Sequence, residues 1–448
     1  MRAGESKVPD EVTVIGGGLA GSECALQLAS RGVRVTLFEQ RPFHSSPAHH
    51  GAGFAELVCS NSLKSTRHDS AAGLLKEEIT KMGSFLIALA HRASVPAGGA
   101  LAVDRGAFTD LVTQAIEGEG NISVVREEVT TIPGGMVVVA AGPLCSDALF
   151  GDLSRRLGAE SLSFYDAAAP IVDAQTIDRS IAFVQSRYAE GGGDYLNCPM
   201  DRDEYDAFYD ALVAAKRIVS KDFEQKDLFN ACQPVEEVAR TGRDSLRFGA
   251  LKPVGLTDPR TGRRPWAAVQ LRAENVGRTA YNLVGFQTNL SWCEQKRVFR
   301  MIPGLEEADF FRYGVMHRNS FVDAPRVLTD TFAIPHTQVR LAGQITGTEG
   351  YVEAIASGLL AALNTICDIR SAEHVDLPAT TALGSLVRYA TDPATCPYQP
   401  MHVNFGIIAP LGRGRLGKRE RYGAYADRAA RDMDTYLASR PDLFGRAR

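Results

Sequence analysis

The sequence has no C-x-x-C pair and no histidines grouped at ligand spacing, although it carries eight cysteines: Cys24, Cys59, Cys145, Cys198, Cys232, Cys293, Cys367 and Cys396. A structural zinc framework and a disulfide scaffold are therefore not expected. Thiols scattered in this way belong to a reducing compartment, so a cytoplasmic protein is expected in which most of them are small buried apolar side chains. An uninterrupted apolar run long enough for a membrane span is also missing, and residues 1–10 place no apolar stretch behind a basic start; neither an anchor nor a secretion leader is expected. Positive charge is not in excess either: 49 Lys and Arg against 53 Asp and Glu leave a net charge of −4. That balance excludes a protein that coats nucleic acid non-specifically, because such affinity comes from phosphate neutralisation, and any RNA contact must rest on local patches. No internal repeat or low-complexity tract is visible. What remains, 45% hydrophobic and 23% charged over 448 residues, is an ordinary globular composition with room for two or three cores.

Residues 11–15 form a short β-branched run. The helical pattern after it puts Ala20, Cys24 and Leu28 on one face before Arg31 and Gly32 stop it, and residues 33–38 read as a second strand. This βαβ unit is the usual opening of a doubly wound parallel sheet. Further strands are expected at 136–141, ending at Gly142, and at 339–342, ending at Gly343. Between them, 195–219 looks helical and 265–285 alternates like sheet, so an α+β domain is expected as an insertion. The expected fold is thus α/β, a Rossmann-like doubly wound domain (1–165 and 327–448) interrupted by an insertion or substrate domain (166–326). A small-residue helix is expected at 351–364, and Tyr422, Tyr425, Ala429, Met433 and Tyr436 mark a final amphipathic one.

Gly16-Gly17-Gly18-Leu19-Ala20-Gly21 fits G-x-G-x-x-G between a strand and a helix, and Glu39 closes the next strand. Gly16 permits the tight turn, Gly18 lets backbone amides approach a pyrophosphate, Gly21 permits close packing and Glu39 can accept from ribose hydroxyls. The motif alone does not separate a dinucleotide from adenosylmethionine. The later segments do: Val137 to Gly142 and Arg340-Leu341-Ala342-Gly343-Gln344 resemble the second and third fingerprints of FAD enzymes, which assigns FAD, with Gly142, Gly343 and Gln344 as further contacts. Gln344 stands where many such enzymes carry the acid that holds the ribityl chain. No second G-x-G-x-x-G is present for a resident nicotinamide cofactor, so NAD(P)H is expected only as a transient visitor.

Three further blocks carry a specific likeness: Pro47-Ala48-His49-His50 with residues 54–63 around Cys59, Gly73-Leu74-Leu75-Lys76-Glu77-Glu78, and residues 95–105. Together with Cys232-Gln233-Pro234-Val235-Glu236, residues 294–305, Gly347-Thr348-Glu349-Gly350-Tyr351 and Tyr398-Gln399-Pro400-Met401, they resemble the folate- and FAD-dependent tRNA (uracil-5-)-methyltransferase family, TrmFO, over nearly the whole chain. The related MnmG (GidA) wobble-uridine modifiers share the Gly347 block, but they are longer and carry a C-N-P type cysteine block that is missing here. Gln233 departs from the Met that often follows the family's second cysteine.

The resemblance implies formation of 5-methyluridine in the tRNA T-loop, with carbon passed from methylenetetrahydrofolate through the flavin to uracil C5 and NAD(P)H as the source of reducing equivalents. C5 of uracil is a poor nucleophile, and a thiolate added to C6 activates it. The family's functional cysteines match Cys59 and Cys232; the nucleophile role carries over to Cys232 and a flavin-side or proton-handling role to Cys59. Alternatives are the same chemistry on ribosomal RNA, an MnmG-like wobble-uridine modifier, and a non-catalytic RNA-binding flavoprotein. Glu349 reads equally as a site residue and as a helix-start carboxylate, and His49 and His50 as substrate-positioning or structural. For RNA contact, Arg240, Arg243, Arg247 and Lys252, which follow Cys232, are preferred over the basic run of Arg413, Arg415, Lys418, Arg419 and Arg421.

Overall fold

The computed structural model describes residues 11–445 apart from 47, 159–161, 168, 188–192, 219–232, 315 and 413–415. The chain opens as the sequence reads, with β1 (Glu11–Ile15), α1 (Leu19–Ala29) and β2 (Arg34–Phe38). β2 takes β3 (Ile122–Val125) on its outer side, and β4 (Val137–Val139) lies on the other side of β1. All these pairings are parallel, and Val12, Val14, Val35, Leu37 and Val137 to Val139 are buried, as expected for strands covered on both faces.

The chain then builds a second, antiparallel sheet from β5 (Ile171–Asp173), β6 (Phe183–Val184), β7 (Tyr195–Met200), β8 (Ala267–Ala273), β9 (Ala280–Leu283) and β10 (Phe310–Arg312), in the order β6-β7-β8-β9-β5-β10. β8 is buried along its whole length. Ala267, Val269 and Leu271 enter the second core; on the other face Ala268 packs with Phe183 and Leu256, Gln270 donates to Asn197 and Arg272 to Asn61.

The helical reading of 195–219 is corrected at its start. Residues 195–200 are β7, paired from Tyr195 opposite Arg272 to Met200 opposite Ala267, and the helix is Arg202–Ala214. Pro199 is a poor helix-interior residue, and the helix start is set by Asp201, which shares a capping box with Glu204.

β11 (Val339–Leu341) returns to the first sheet beside β4, completing the order β11-β4-β1-β2-β3. It leads to α2 (Tyr351–Arg370), which packs across α1. A Cβ on Gly358 would lie 2.1 Å from the Ala20 carbonyl oxygen, so the crossing requires a residue without one. The sequence showed no run of membrane-spanning length, whereas α2 meets that test by length and composition; 89% of its apolar window is buried inside the fold, where it packs in the first core. α3 (Lys418–Ser439) closes that core with Ala426, Ala429 and Met433.

Candidate active site

The ends of β1, β4 and β11 open into one cleft of about 340 Å³. Gly16, Gly17, Gly18, Leu19, Ala20, Glu39, Gly142, Gly343 and Gln344, all expected from the sequence, line it. Gly21 does not. A Cβ there would lie 1.8 Å from the Gly16 carbonyl oxygen, so it is the residue that lets the loop close onto α1. At Gly18 nothing lies within 4 Å of the Cβ position, and no side chain caps α1, whose first amides therefore face open space. An anionic diphosphate suits that position.

Glu39 is buried and accepts from the Gly17 amide at 2.9 Å and from the Arg41 guanidinium at 3.0 Å. Burial opposes its charge, but the bonds from Arg41 and Gly17 outweigh burial and hold the carboxyl below its ordinary range. Arg41 is itself buried and also donates to Glu56 at 2.9 Å; it was missed in the sequence, where only its place two residues after Glu39 could have marked it. On the far side, the Gln344 amide donates to the buried Glu349 carboxylate, so the acid absent at position 344 is supplied five residues later from the same cleft wall. Asn319 also lines the cleft, and its buried Oδ1 has no hydrogen-bond partner among the described residues. A capless helix start, a buried acid at the end of β2 and a buried amide oxygen at the wall fit an FAD molecule.

Cys59 lines the same cleft. Its amide and that of Ser60 donate to the Tyr351 hydroxyl, at 2.8 and 3.1 Å, and burial pushes that phenol well above its usual range, so it stays protonated. Three guanidinium groups from separate segments grip the loop that carries Cys59. Arg105 donates to the carbonyls of Leu57 and Cys59, Arg312 to that of Val58 at 2.7 Å, and Arg272 to Ser60 Oγ and Asn61 Oδ1, each at 2.7 Å. Glu274, bonded to Arg105 at 2.6 Å, is the carboxylate within ion-pair reach of this trio among the described residues, leaving the loop in a positive environment. None of the three was singled out in the sequence.

Cys232 lies outside the described residues. Three residues on, the Val235 amide donates to the Gln287 carbonyl at 2.7 Å, and Gln287 lines the cleft. Glu236 is buried, accepts from Thr288 and the Asn289 amide, and is pushed up to about 7 by burial. Of the two histidines, His49 lines the cleft and is bonded to Ser46; the His50 amide donates to Glu56. His402 and Lys64, 2.7 Å apart on the cleft wall, were not anticipated.

The preferred basic patch is largely neutralised within the protein: Arg240 pairs with Glu237, Arg243 with Asp206 and Asp210, and Arg247 with Asp244 while lying 3.6 Å over the Trp266 ring. Guanidinium groups engaged in this way are poorly placed to serve phosphates. Of the alternative run, Arg413 and Arg415 lie outside the described residues.

A parallel sheet with glycine-ended strands around a cleft lined by the glycine loop and Glu39 defines an FAD-binding Rossmann-type protein. The family model described as glucose inhibited division protein A matches residues 11–373. The methylenetetrahydrofolate–tRNA-(uracil-5-)-methyltransferase TrmFO of Geobacter sulfurreducens is 54% identical over 431 residues, 96% of this chain and 99% of that protein. The TrmFO of Desulforamulus reducens is 52% identical over 428 residues, 95% and 97% of the two chains. Among solved structures, Aquifex aeolicus GidA superposes with a TM-score of 0.68 at 17% identity, covering 97% of this chain and 77% of that one, which is a likeness of fold. The chain belongs to the GidA family and, within it, to the TrmFO group.

Proposed function

We propose that the chain methylates uracil C5 in tRNA, forming 5-methyluridine in the T-loop, with methylenetetrahydrofolate as carbon donor, FAD as cofactor and NAD(P)H as reductant. The methyltransferase activity and its folate donor are those named for relatives half-identical over almost the full length. One observation carries the reading at this chain's own residues: the cleft that suits FAD also contains Cys59 and is lined by Gln287, whose carbonyl accepts from the amide of Val235, three positions after Cys232 in the sequence.

FAD, when bound, supplies one-carbon relay and hydride chemistry. The protein's residues provide the rest. The amides at the start of α1 would hold the diphosphate, Glu39 the ribose, and Gln344, Glu349 and Asn319 the far end of the cleft. Cys232 is assigned as the thiol that adds to C6, on the family likeness and on the position of Val235 beside Gln287. Cys59, held by three guanidinium groups and the Tyr351 hydroxyl, is assigned to the flavin side, where it handles a proton. The second sheet, within 166–326, is read as the substrate-side domain, because Arg272 and Arg312 reach from it to the Cys59 loop.

The test is direct. Purified protein with FAD, methylenetetrahydrofolate, NAD(P)H and an unmodified tRNA transcript is expected to yield 5-methyluridine by nucleoside mass spectrometry, and its absence overturns the reading. Cys232→Ala is expected to retain flavin absorbance and lose methyl transfer; turnover at the wild-type rate removes the nucleophile assignment.

A further inference from the structure

The edge of the second sheet carries three rings in a stack that the site as described does not use. The Tyr313 ring lies between Phe310 (centroids 5.3 Å apart, planes at 21°) and Trp292 (6.2 Å, 19°). Phe310 anchors the stack in the second core against Phe299, and Trp292 ends it in solvent, 60% exposed. No ring among the described residues covers the outer face of Trp292. Phe311, in the same edge strand, is 62% exposed as well, so this edge of the sheet presents more than one large apolar side chain to solvent, of the kind that marks a contact site.

Place and charge identify the partner. Arg312, between Phe311 and Tyr313, donates to the Val58 carbonyl beside Cys59, so the strand end that carries Tyr313 is tied to the loop that lines the cleft. The Ser291 amide, just before Trp292, donates to the carbonyl of Lys216, and Lys296 follows Trp292 by one helical turn. Both lysines are exposed, and neither is in an ion pair among the described residues. The neighbouring Arg297 and Arg300 are balanced by Glu294 and Asp309. A bare indole face with two exposed lysines on neighbouring backbone, in a chain of net charge −4, suits an unstacked nucleobase and its phosphates.

Resting on the tRNA reading above, we propose that Trp292, backed by Tyr313 and with Lys216 and Lys296 on neighbouring backbone, is the platform on which a base neighbouring the target uridine stacks while that uridine enters the cleft. The stack is continuous with the core, so the platform is rigid before the RNA arrives.

Trp292→Ala is expected to raise the KM for an unmodified tRNA transcript roughly tenfold or more, the range for losing one base–aromatic stack, with flavin content and Tm unchanged; Trp292→Phe retains most of the affinity. The chain has two tryptophans, so Trp266→Phe leaves Trp292 as sole reporter, and its fluorescence is expected to be quenched by tRNA and not by heparin at equal charge. A wild-type KM in Trp292→Ala, or equal quenching by heparin, overturns the platform. If the wild-type protein itself makes no 5-methyluridine, it is the tRNA reading that falls.

Discussion

Gly18 and Gly21 belong to one motif but act on different events. A methyl group at Gly18 meets no protein atom within 4 Å, so it occupies only space meant for the ligand; at Gly21 it meets the Gly16 carbonyl at 1.8 Å and must displace the loop itself. Gly18→Ala is therefore expected to leave the Tm of the FAD-free protein unchanged and to weaken FAD at least tenfold, about 1.4 kcal/mol or more. Gly21→Ala is expected to weaken FAD and also to lower the Tm of the FAD-free protein. Fluorescence titration with FAD and melting of the stripped protein separate the two, and equal Tm losses in both variants contradict this division. At this scale the sequence was most informative where one backbone position needs one residue type. It was silent on Arg105, Arg272 and Arg312, because an arginine carries no local sign of which distant carbonyl it will meet.

Elements that close on their own signals were legible: β1, α1 and β2 follow from a β-branched run, a glycine turn and an apolar helical face within thirty residues. β7 was not, since its identity depends on β8 lying beside it, far along the chain. Packing of elements also creates titrating groups that the sequence does not announce. Glu78, on the helix Ala71–Lys81, is fully buried and accepts the amides of Ala382 and Leu383, pinning the start of the helix Ala382–Thr391. Burial pushes it up to about 7, as it does Glu236. An acid with a raised folded-state value holds its proton in the folded chain after the unfolded chain has released it. Its contribution is complete below the unfolded value near 4.5 and is lost as pH rises toward 7. Each such group contributes a slope of about 1.4 kcal/mol per pH unit across that window. Carboxyls held low, such as Glu39, act only in more acidic solution. Urea unfolding between pH 5 and 7 is therefore expected to show stability falling as pH rises, and Glu78→Gln is expected to flatten the slope. A stability that climbs across this range contradicts the assignment.

At the scale of the whole molecule the second sheet is tied to the Cys59 loop at Asn61. Its amide donates to the carbonyls of Val103 and Ala273, each at 3.0 Å, and its oxygen accepts from Arg272 at 2.7 Å, so one buried side chain ties the Cys59 loop to β8. The dinucleotide cleft belongs to the first sheet, whereas Arg272 and Arg312, which hold the Cys59 loop, come from the second. Cofactor binding and chemistry should therefore separate. Arg272→Met removes the donors to Asn61 and Ser60 without touching the glycine loops, Glu39 or Arg41. It is expected to bind FAD within about threefold of wild type, below the tenfold that 1.4 kcal/mol represents. Methyl transfer is expected to fall at least a hundredfold, about 2.7 kcal/mol, because a catalytic loop displaced by even an ångström loses its alignment. Single-turnover formation of 5-methyluridine, measured on protein of matched flavin content, reads the difference. Joint loss of FAD and activity would mean that the cleft and the Cys59 loop form one unit, and that the second sheet helps to build the cofactor site as well as the thiol's setting.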